Sequence, residues 1–356
     1  MTHEPALPRP AAAPLVRLLG RRTVLRGAAA SAAAPAIPAV TAAAAHANSG
    51  LPASGVTLRW LGTAGWRIDA GTRTVLVDPY LTRFPTGLHE GRFNPRTRLR
   101  TLPERVHAHV GSPELILVTH SHWDHLNDVP YIAKITGARV VGTETTYHLL
   151  VALGVPAGQI SVVKGGEVLD FAGIVTEVVP ALHSRDKRHA YFAPGTLNTP
   201  PHPAPKTVAD LPEGNTLAFQ ITLGDKGSSV LFMGASDFSE RAMHGLRPDL
   251  AMAAVPSSTA TRAYVPRLLK ALDAPGIVVP VHWDNFERPL TGSPVPDPAM
   301  DLAAFCAAVT AASPTTRVVV PDYRSVYDTT MRPVTPRRAN GRAAFEDALT
   351  PSPRTR

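Results

Sequence analysis

The sequence predicts an α/β (α+β) fold, and three observations predict it. Short apolar runs such as Leu115–Val118, Val230–Met233 and Ile277–Val281 have the length and β-branched content of buried strands. Stretches of helical spacing, opened by capping residues and closed by glycine, lie between such runs. Each half of the chain repeats the same succession, strands first and helices after.

Residues 56–78 read as two or three strands, turning at Gly62-Thr63 and Ala70-Gly71. Residues 79–112 read as irregular, with four Arg and two Pro between Arg92 and Pro103, and are expected to loop over one edge of a site. The strand at 115–118 follows. After His125, Asp128 is placed to cap a helix ahead of Pro130 that runs to about Ile135. Val140-Val141 is a short strand, and Glu144–Leu153 a helix capped by Thr143 and closed by Gly154. Short strands are expected near 161–163 and 174–179. Residues 184–214 hold six prolines and little periodicity. A long segment without structure of its own is often functional, and this one follows His183 directly, so it is expected to form a rim or lid.

Strands recur at 216–223 and 229–233, and Leu250–Val255 is another apolar run. Tyr264–Leu272 reads as helix, Gly276–Val281 as strand, 299–312 as a helix started by Asp297-Pro298, and Arg317–Val320 as a last strand. Cys306 is the single cysteine of the 356 residues, so no intrachain disulfide can form. It falls at core spacing with Met300, Leu302, Phe305 and Val309 and is expected to be a small buried hydrophobe.

The formal charge of +8 sits at the ends. Residues 1–47 carry five Arg and one Glu, and residues 331–356 carry six Arg and two acids, +4 in each case. Nothing is left for residues 48–330, so a basic face for nucleic acid has no support there. The first 47 residues read as a signal peptide. Gly20-Arg21-Arg22-Thr23-Val24-Leu25-Arg26 looks like a twin-arginine motif, an Ala-rich stretch follows, and Ala45-His46-Ala47 has the form of a cleavage site. Pro35, Pro38 and the scarcity of Leu argue against a permanent membrane span. The expected organisation is therefore a signal peptide at 1–47, a folded domain at 48–330 and a disordered basic tail at 331–356, with export by the twin-arginine machinery to the periplasm or beyond.

The chemistry concentrates in His120-Ser121-His122-Trp123-Asp124-His125. His and Asp are mostly exposed or paired, and crowding four of them at the end of a buried strand is electrostatically costly unless a cation lies between them. Neutral imidazole and carboxylate oxygen are ligands that Zn²⁺ accepts. His120 and His122, two apart in extended chain, point to one side. Asp124 and His125 follow as the chain turns, so they can face a second ion. Three further ligand types end apolar strands: His183 after 174–180, Asp237 after 230–233, and His282 after 277–281.

This pattern resembles the metallo-β-lactamase-fold hydrolases, over roughly residues 56–325. The order His-x-His-x-Asp-His, then His, Asp and His, is similar to that family's metal motifs, and the resemblance implies a four-layer αββα sandwich. It implies that His120, His122 and His183 hold one ion, that Asp124, His125 and His282 hold a second, and that Asp237 bridges them. It implies two Zn²⁺ per chain, with Mn²⁺ or Fe²⁺ as alternatives, and a shared hydroxide as nucleophile. Asp124 is a candidate for protonating the leaving group. Asp78, ending the opening hairpin in Asp-Pro, would orient a ligating histidine rather than bind metal.

Two departures stand out. The family writes its bridging aspartate as Gly-Asp-Thr or Gly-Asp-Ser, whereas this chain has Gly234-Ala235-Ser236-Asp237-Phe238; and where many relatives carry a histidine after the first strand, it has Gly62-Thr63-Ala64.

The implied function is a secreted hydrolase of an ester, lactone or phosphodiester in a small or lipid-like substrate. The His282-Trp283 pair and the Asp78-Pro79 hairpin look closest to the branch containing the ascorbate-phosphate lactonase and N-acylphosphatidylethanolamine phospholipase D. Competing readings are a metal-holding protein without turnover, which the Gly-Ala-Ser-Asp departure keeps open, and a β-lactamase, a group that lacks a bridging aspartate. A diiron redox protein is disfavoured because His122 stands where that pattern has Glu. A nucleic-acid processor is disfavoured by the neutral core.

Overall fold

The computed structural model describes residues 55–223 and 227–334. The expected signal peptide, and the tail from residue 335 on, lie outside them. In chain order the elements are β1 (Val56–Trp60), β2 (Trp66–Ala70), β3 (Arg73–Val77), α1 (Pro103–Val110), β4 (Leu115–Leu117), α2 (Trp123–Leu126), α3 (Val129–Thr136), β5 (Arg139–Gly142), α4 (Glu144–Ala152), β6 (Ile160–Val162), β7 (Val168–Asp170) and β8 (Ile174–Leu182). There follow β9 (Thr216–Leu223), β10 (Ser229–Met233), β11 (Asp237–Phe238), α5 (Glu240–Met243), β12 (Leu250–Ala254), α6 (Tyr264–Ala271), β13 (Ile277–Val281), α7 (Leu302–Ala312) and β14 (Arg317–Val318).

The strands form two sheets, one of six strands in the order β1 to β6 and one of eight in the order β11-β8-β9-β10-β12-β13-β14, with β7 on β8. In the first sheet β1, β2 and β3 are antiparallel and β3 to β6 are parallel. The second sheet has the same plan, with β8, β9 and β10 antiparallel and β10, β12, β13 and β14 parallel. Parallel strands need crossovers and are covered by helices: α4 packs on β5 and β6, and α7 on β13 and β14. The inner faces meet in one core, where Trp66 of β2 lies edge-on to Phe232 of β10, with ring centroids 6.3 Å apart. This is the α/β (α+β) fold the strand and helix pattern predicts, arranged as the sandwich the resemblance implies.

Several elements differ from expectation. Within 79–112, α1 forms on Pro103 at its first turn, burying only Val106 and Val110. Its Arg- and His-bearing exterior conceals a narrow apolar stripe. Asp128 precedes α3 but makes no side-chain cap; its carboxylate accepts from the N–H groups of Leu81 and Thr82, at 2.7 and 2.6 Å, and from the Thr82 hydroxyl. The helix expected from 299 begins at Leu302, capped by Asp301 rather than started by Asp297-Pro298, with Ala304 N–H donating to Asp301 Oδ1 at 2.8 Å. Thr143 caps α4 as expected, accepting from Thr146 N–H. Cys306 is half-buried on α7. The fold also runs past 330: Met331 is buried, and Val334 N–H donates to Val326 C=O at 2.8 Å.

Candidate metal centre

Strand ends build the site. β4 lies between β3 and β5, so its C-terminal end delivers His120–His125 to one edge of the first sheet. Parallel sheets bind ligands at that carboxyl edge. His122 occupies the position before α2, and Asp124 and His125 lie in its first turn. From the second sheet, β8 ends at Leu182, placing His183, and β13 ends at Val281, placing His282. His282 has φ 61°, a strained conformation for a side chain of this size, and its N–H donates to Thr63 C=O at 2.8 Å.

Six side chains converge in two groups. One donor atom from each of His120, His122 and His183 lies within 4.8 Å of the others, and the same holds for Asp124, His125 and His282. The sets are those the resemblance implies. Imidazole rings crowd within 3.9 Å between His120 and His125 and within 4.9 Å between His120 and His183. Burial pushes the His120 imidazole well below its usual range, and that of His122 down to about 4. Burial, and then the neighbouring His122, lower His183 to about 3. Neutral imidazoles are what a metal ligand requires. Burial opposes charge on Asp124 too, but His125 and His282 outweigh it and hold the carboxyl far down as an anion.

The surrounding groups fix the ring orientations. Asp78, fully buried, accepts from His125 Nδ1 at 2.8 Å, leaving Nε2 without a hydrogen-bond partner in the site. The same carboxylate accepts Thr119 N–H at 2.8 Å and its hydroxyl at 2.5 Å. Burial disfavours charge on His125, yet Asp124 and Asp78 together raise it. His183 Nδ1–H donates to Ser184 C=O at 2.7 Å and so directs Nε2 inward. Gly234 packs on this arrangement: a Cβ there would lie 2.0 Å from Thr119 Oγ1. The orphaned imidazole nitrogen and the anionic Asp124 fit divalent metal, and three protein ligands per group leave positions open, as in catalytic rather than structural sites.

Asp237 is in neither group. It pairs across from Leu182 in β11, half-exposed, with Oδ1 accepting from Phe238 N–H at 2.8 Å, and its charge acts on the Tyr264 phenol. Counted from Gly234, the aspartate of a Gly-Asp-Thr pattern falls at Ala235, which has no donor to offer.

A second network lies behind His282. Arg83 and Asp284 form a fully buried ion pair at 2.5 Å, with Tyr323 hydrogen-bonded to both. Asp284 Oδ1 accepts Thr63 N–H at 2.9 Å. Gly62 leaves the room: a Cβ there would meet Arg83 Nη1 at 1.7 Å. The Gly62-Thr63 departure thus has a structural use. Sequence reasoning did not single out Arg83, Asp284, Thr119 or Tyr323; long sequence separation hides such pairs.

The metal groups open into a cavity of about 450 Å³, walled by Trp123, Phe286, Met300, Tyr191 and Phe192 among others. Tyr191 stacks on His183 with ring centroids 4.7 Å apart. Both aromatics belong to the Pro-rich segment after His183, which forms the rim expected of it. Trp123 and Phe286 are buried and also face the cavity, whereas Trp283 is packing alone, stacked on Trp60 at 5.3 Å.

The chain is similar to known proteins. A UPF0173 metal-dependent hydrolase of Polynucleobacter asymbioticus is 28% identical over 242 residues, covering 66% of this chain and 75% of that protein. One from Cupriavidus taiwanensis is 37% identical over 145 residues, covering 38% of this chain and 46% of that protein. For several such relatives the match spans about half their length. Igni18, a metallo hydrolase from the archaeon Ignicoccus hospitalis, shares the fold with a TM-score of 0.50 at 20% identity, covering 76% of this chain and 97% of that one. The beta-lactamase superfamily domain matches residues 57–282, and the chain, a metallo-β-lactamase-fold protein, belongs to that family.

Proposed function

We propose that the protein is a metal-dependent hydrolase of the metallo-β-lactamase superfamily, acting on an ester, lactone or phosphodiester. The observation that carries this reading is the pair of three-donor groups, each converging within 4.8 Å at the mouth of one cavity. His120, His122 and His183 would hold one ion, and Asp124, His125 and His282 the other, with Zn²⁺ the best match to the donors. A bound divalent ion supplies Lewis acidity and lowers the pKa of water at the site. The chain's own residues do the rest. Asp78 fixes the His125 tautomer, Ser184 C=O fixes that of His183, and the aromatic wall excludes bulk water. Asp124, held as an anion 3.0 Å from His282 Nε2, would accept a proton at the reacting bond rather than supply one to the leaving group.

The branch containing the ascorbate-phosphate lactonase and the phospholipase D is our choice of substrate chemistry, on the motifs at Asp78-Pro79 and His282-Trp283. A β-lactamase is a second reading, favoured by one observation: Asp237 stands outside both metal groups, so no bridging carboxylate is required. We further propose export by the twin-arginine route, on the motif at 20–26.

The test is elemental analysis of the chain from residue 48 on, followed by a screen of phosphodiesters, lactones and β-lactams. Two ions per chain with turnover of any of these supports the reading. Failure to retain metal after reconstitution with Zn²⁺, Mn²⁺ or Fe²⁺ would overturn it, and retained metal without turnover would favour a binding role.

A further inference from the structure

A second cavity of about 640 Å³ adjoins the metal cleft and shares three of its walls, Asp186, Ser257 and Met300. It lies between the start of α6, the first turns of α7 and the 257–263 loop, beside the end of β12. β12 pairs in parallel with β13, whose end carries His282, so both cavities open at one sheet edge. The volume falls in the range of about 300–1,000 Å³ typical of small-molecule sites. Small residues make the room, Ala260 on the loop and Ala304 and Ala308 on α7, and Val265 and Phe305 line it. Asp186, Lys187 and Asp301 and the hydroxyl residues Ser257, Ser258, Thr259 and Thr261 also line it, none of them buried, while the buried lining, Val255, Val265 and Phe305 among it, is apolar. Tyr264 is 2% exposed, and its hydroxyl is closed off from the cavity with the Asp237 carboxylate as its charged neighbour, so only its ring belongs to the apolar lining.

We infer that this cavity is a substrate subsite for an apolar chain, acyl, alkyl or aryl, attached to the bond cleaved at the metal cleft. The inference rests on the hydrolase reading for the identity of the scissile bond, but the subsite itself binds without turnover.

The test uses straight-chain carboxylates from acetate to decanoate as probes, with binding measured by calorimetry on the metal-free and the metal-loaded protein. Burial of each methylene predicts a dissociation constant falling roughly fourfold per carbon until the cavity is full. Ala304→Trp, from the helix side, and Ala260→Trp, from the loop side, each fill the space and abolish that gain. A wild-type series with no chain-length dependence overturns the inference. So does a dependence that survives in either tryptophan variant with native circular dichroism. Turnover of phenyl acetate by the metal-loaded wild type reads the hydrolase separately: its absence beside an intact binding series would condemn the reaction and keep the subsite.

Discussion

The carboxylate of Asp78 and Nδ1 of His125, 47 residues apart, lie 2.8 Å from one another, both buried at the strand-end edge of the first sheet. Asp78 has φ 41° and its own N–H donates to Leu117 C=O, so the backbone of β4 and the chain leaving β3 hold that carboxylate in place. A partner of this kind fixes which imidazole nitrogen faces the metal and increases its basicity. Asp78→Asn should therefore weaken metal binding by about 10- to 100-fold while leaving the far-ultraviolet spectrum native. A chelator-competition titration measures this; an unchanged affinity would remove Asp78 from the metal's support.

Asp237→Ala should leave the metal content as it is. The side chain is occupied with its own neighbour's N–H, and the half-exposed edge position predicts a stability change within about 0.5 kcal/mol. Asp124→Ala, by contrast, should lose one of the two ions. Elemental analysis of both variants against wild type decides; a drop to half in the Asp237 variant would restore it as a bridge.

Acid should destabilise the metal-free protein. His122 falls from an ordinary 6.5 to about 4 and His183 to about 3, both through burial first. Between those values and 6.5 the unfolded chain binds more protons than the folded one, so stability rises with pH there and is complete above about 6.5. His122 alone contributes about 3 kcal/mol across that window. His125, raised by Asp124 and Asp78, works in the opposite sense, its contribution being lost as pH rises through its folded value. The depressed imidazoles outnumber it. Urea midpoints of the metal-free chain at pH 7.5, 6 and 5 should fall in that order, and a flat series would be incompatible with neutral buried ligands.

Arg83→Met should be among the most damaging changes outside the ligands. It leaves the Asp284 carboxylate buried without its cation, at a cost of about 3–5 kcal/mol. The pair also supports Thr63, whose carbonyl holds His282. Thermal unfolding should show the loss, and the combined Arg83→Met, Asp284→Leu variant should recover part of the stability while keeping weak affinity at the His282 group.

Much of this site is legible in the sequence, and the reason is local. Each ligand sits just past a β-branched run, so His120, His183 and His282 announce themselves by position and type. Asp78 is legible for the same reason. Asp237 follows the same rule and nevertheless joins neither donor group, because a two-residue displacement along an edge strand changes what a side chain can reach. α1 escapes notice because only Val106 and Val110 need burial, and its remaining residues carry no apolar period. Arg83 and Asp284 are separated by 201 residues, and no local pattern joins two such charges before the chain has folded.

The ligands do not all come from one sheet. His120, His122, Asp124 and His125 leave the first, whereas His183 and His282 leave the second. Each three-donor group therefore straddles the seam. An ion held in either place is a crosslink between the halves of the sandwich as much as a reagent, with its binding free energy added to the cohesion of the layers. Stripping the metal would loosen the joint before it melted either sheet.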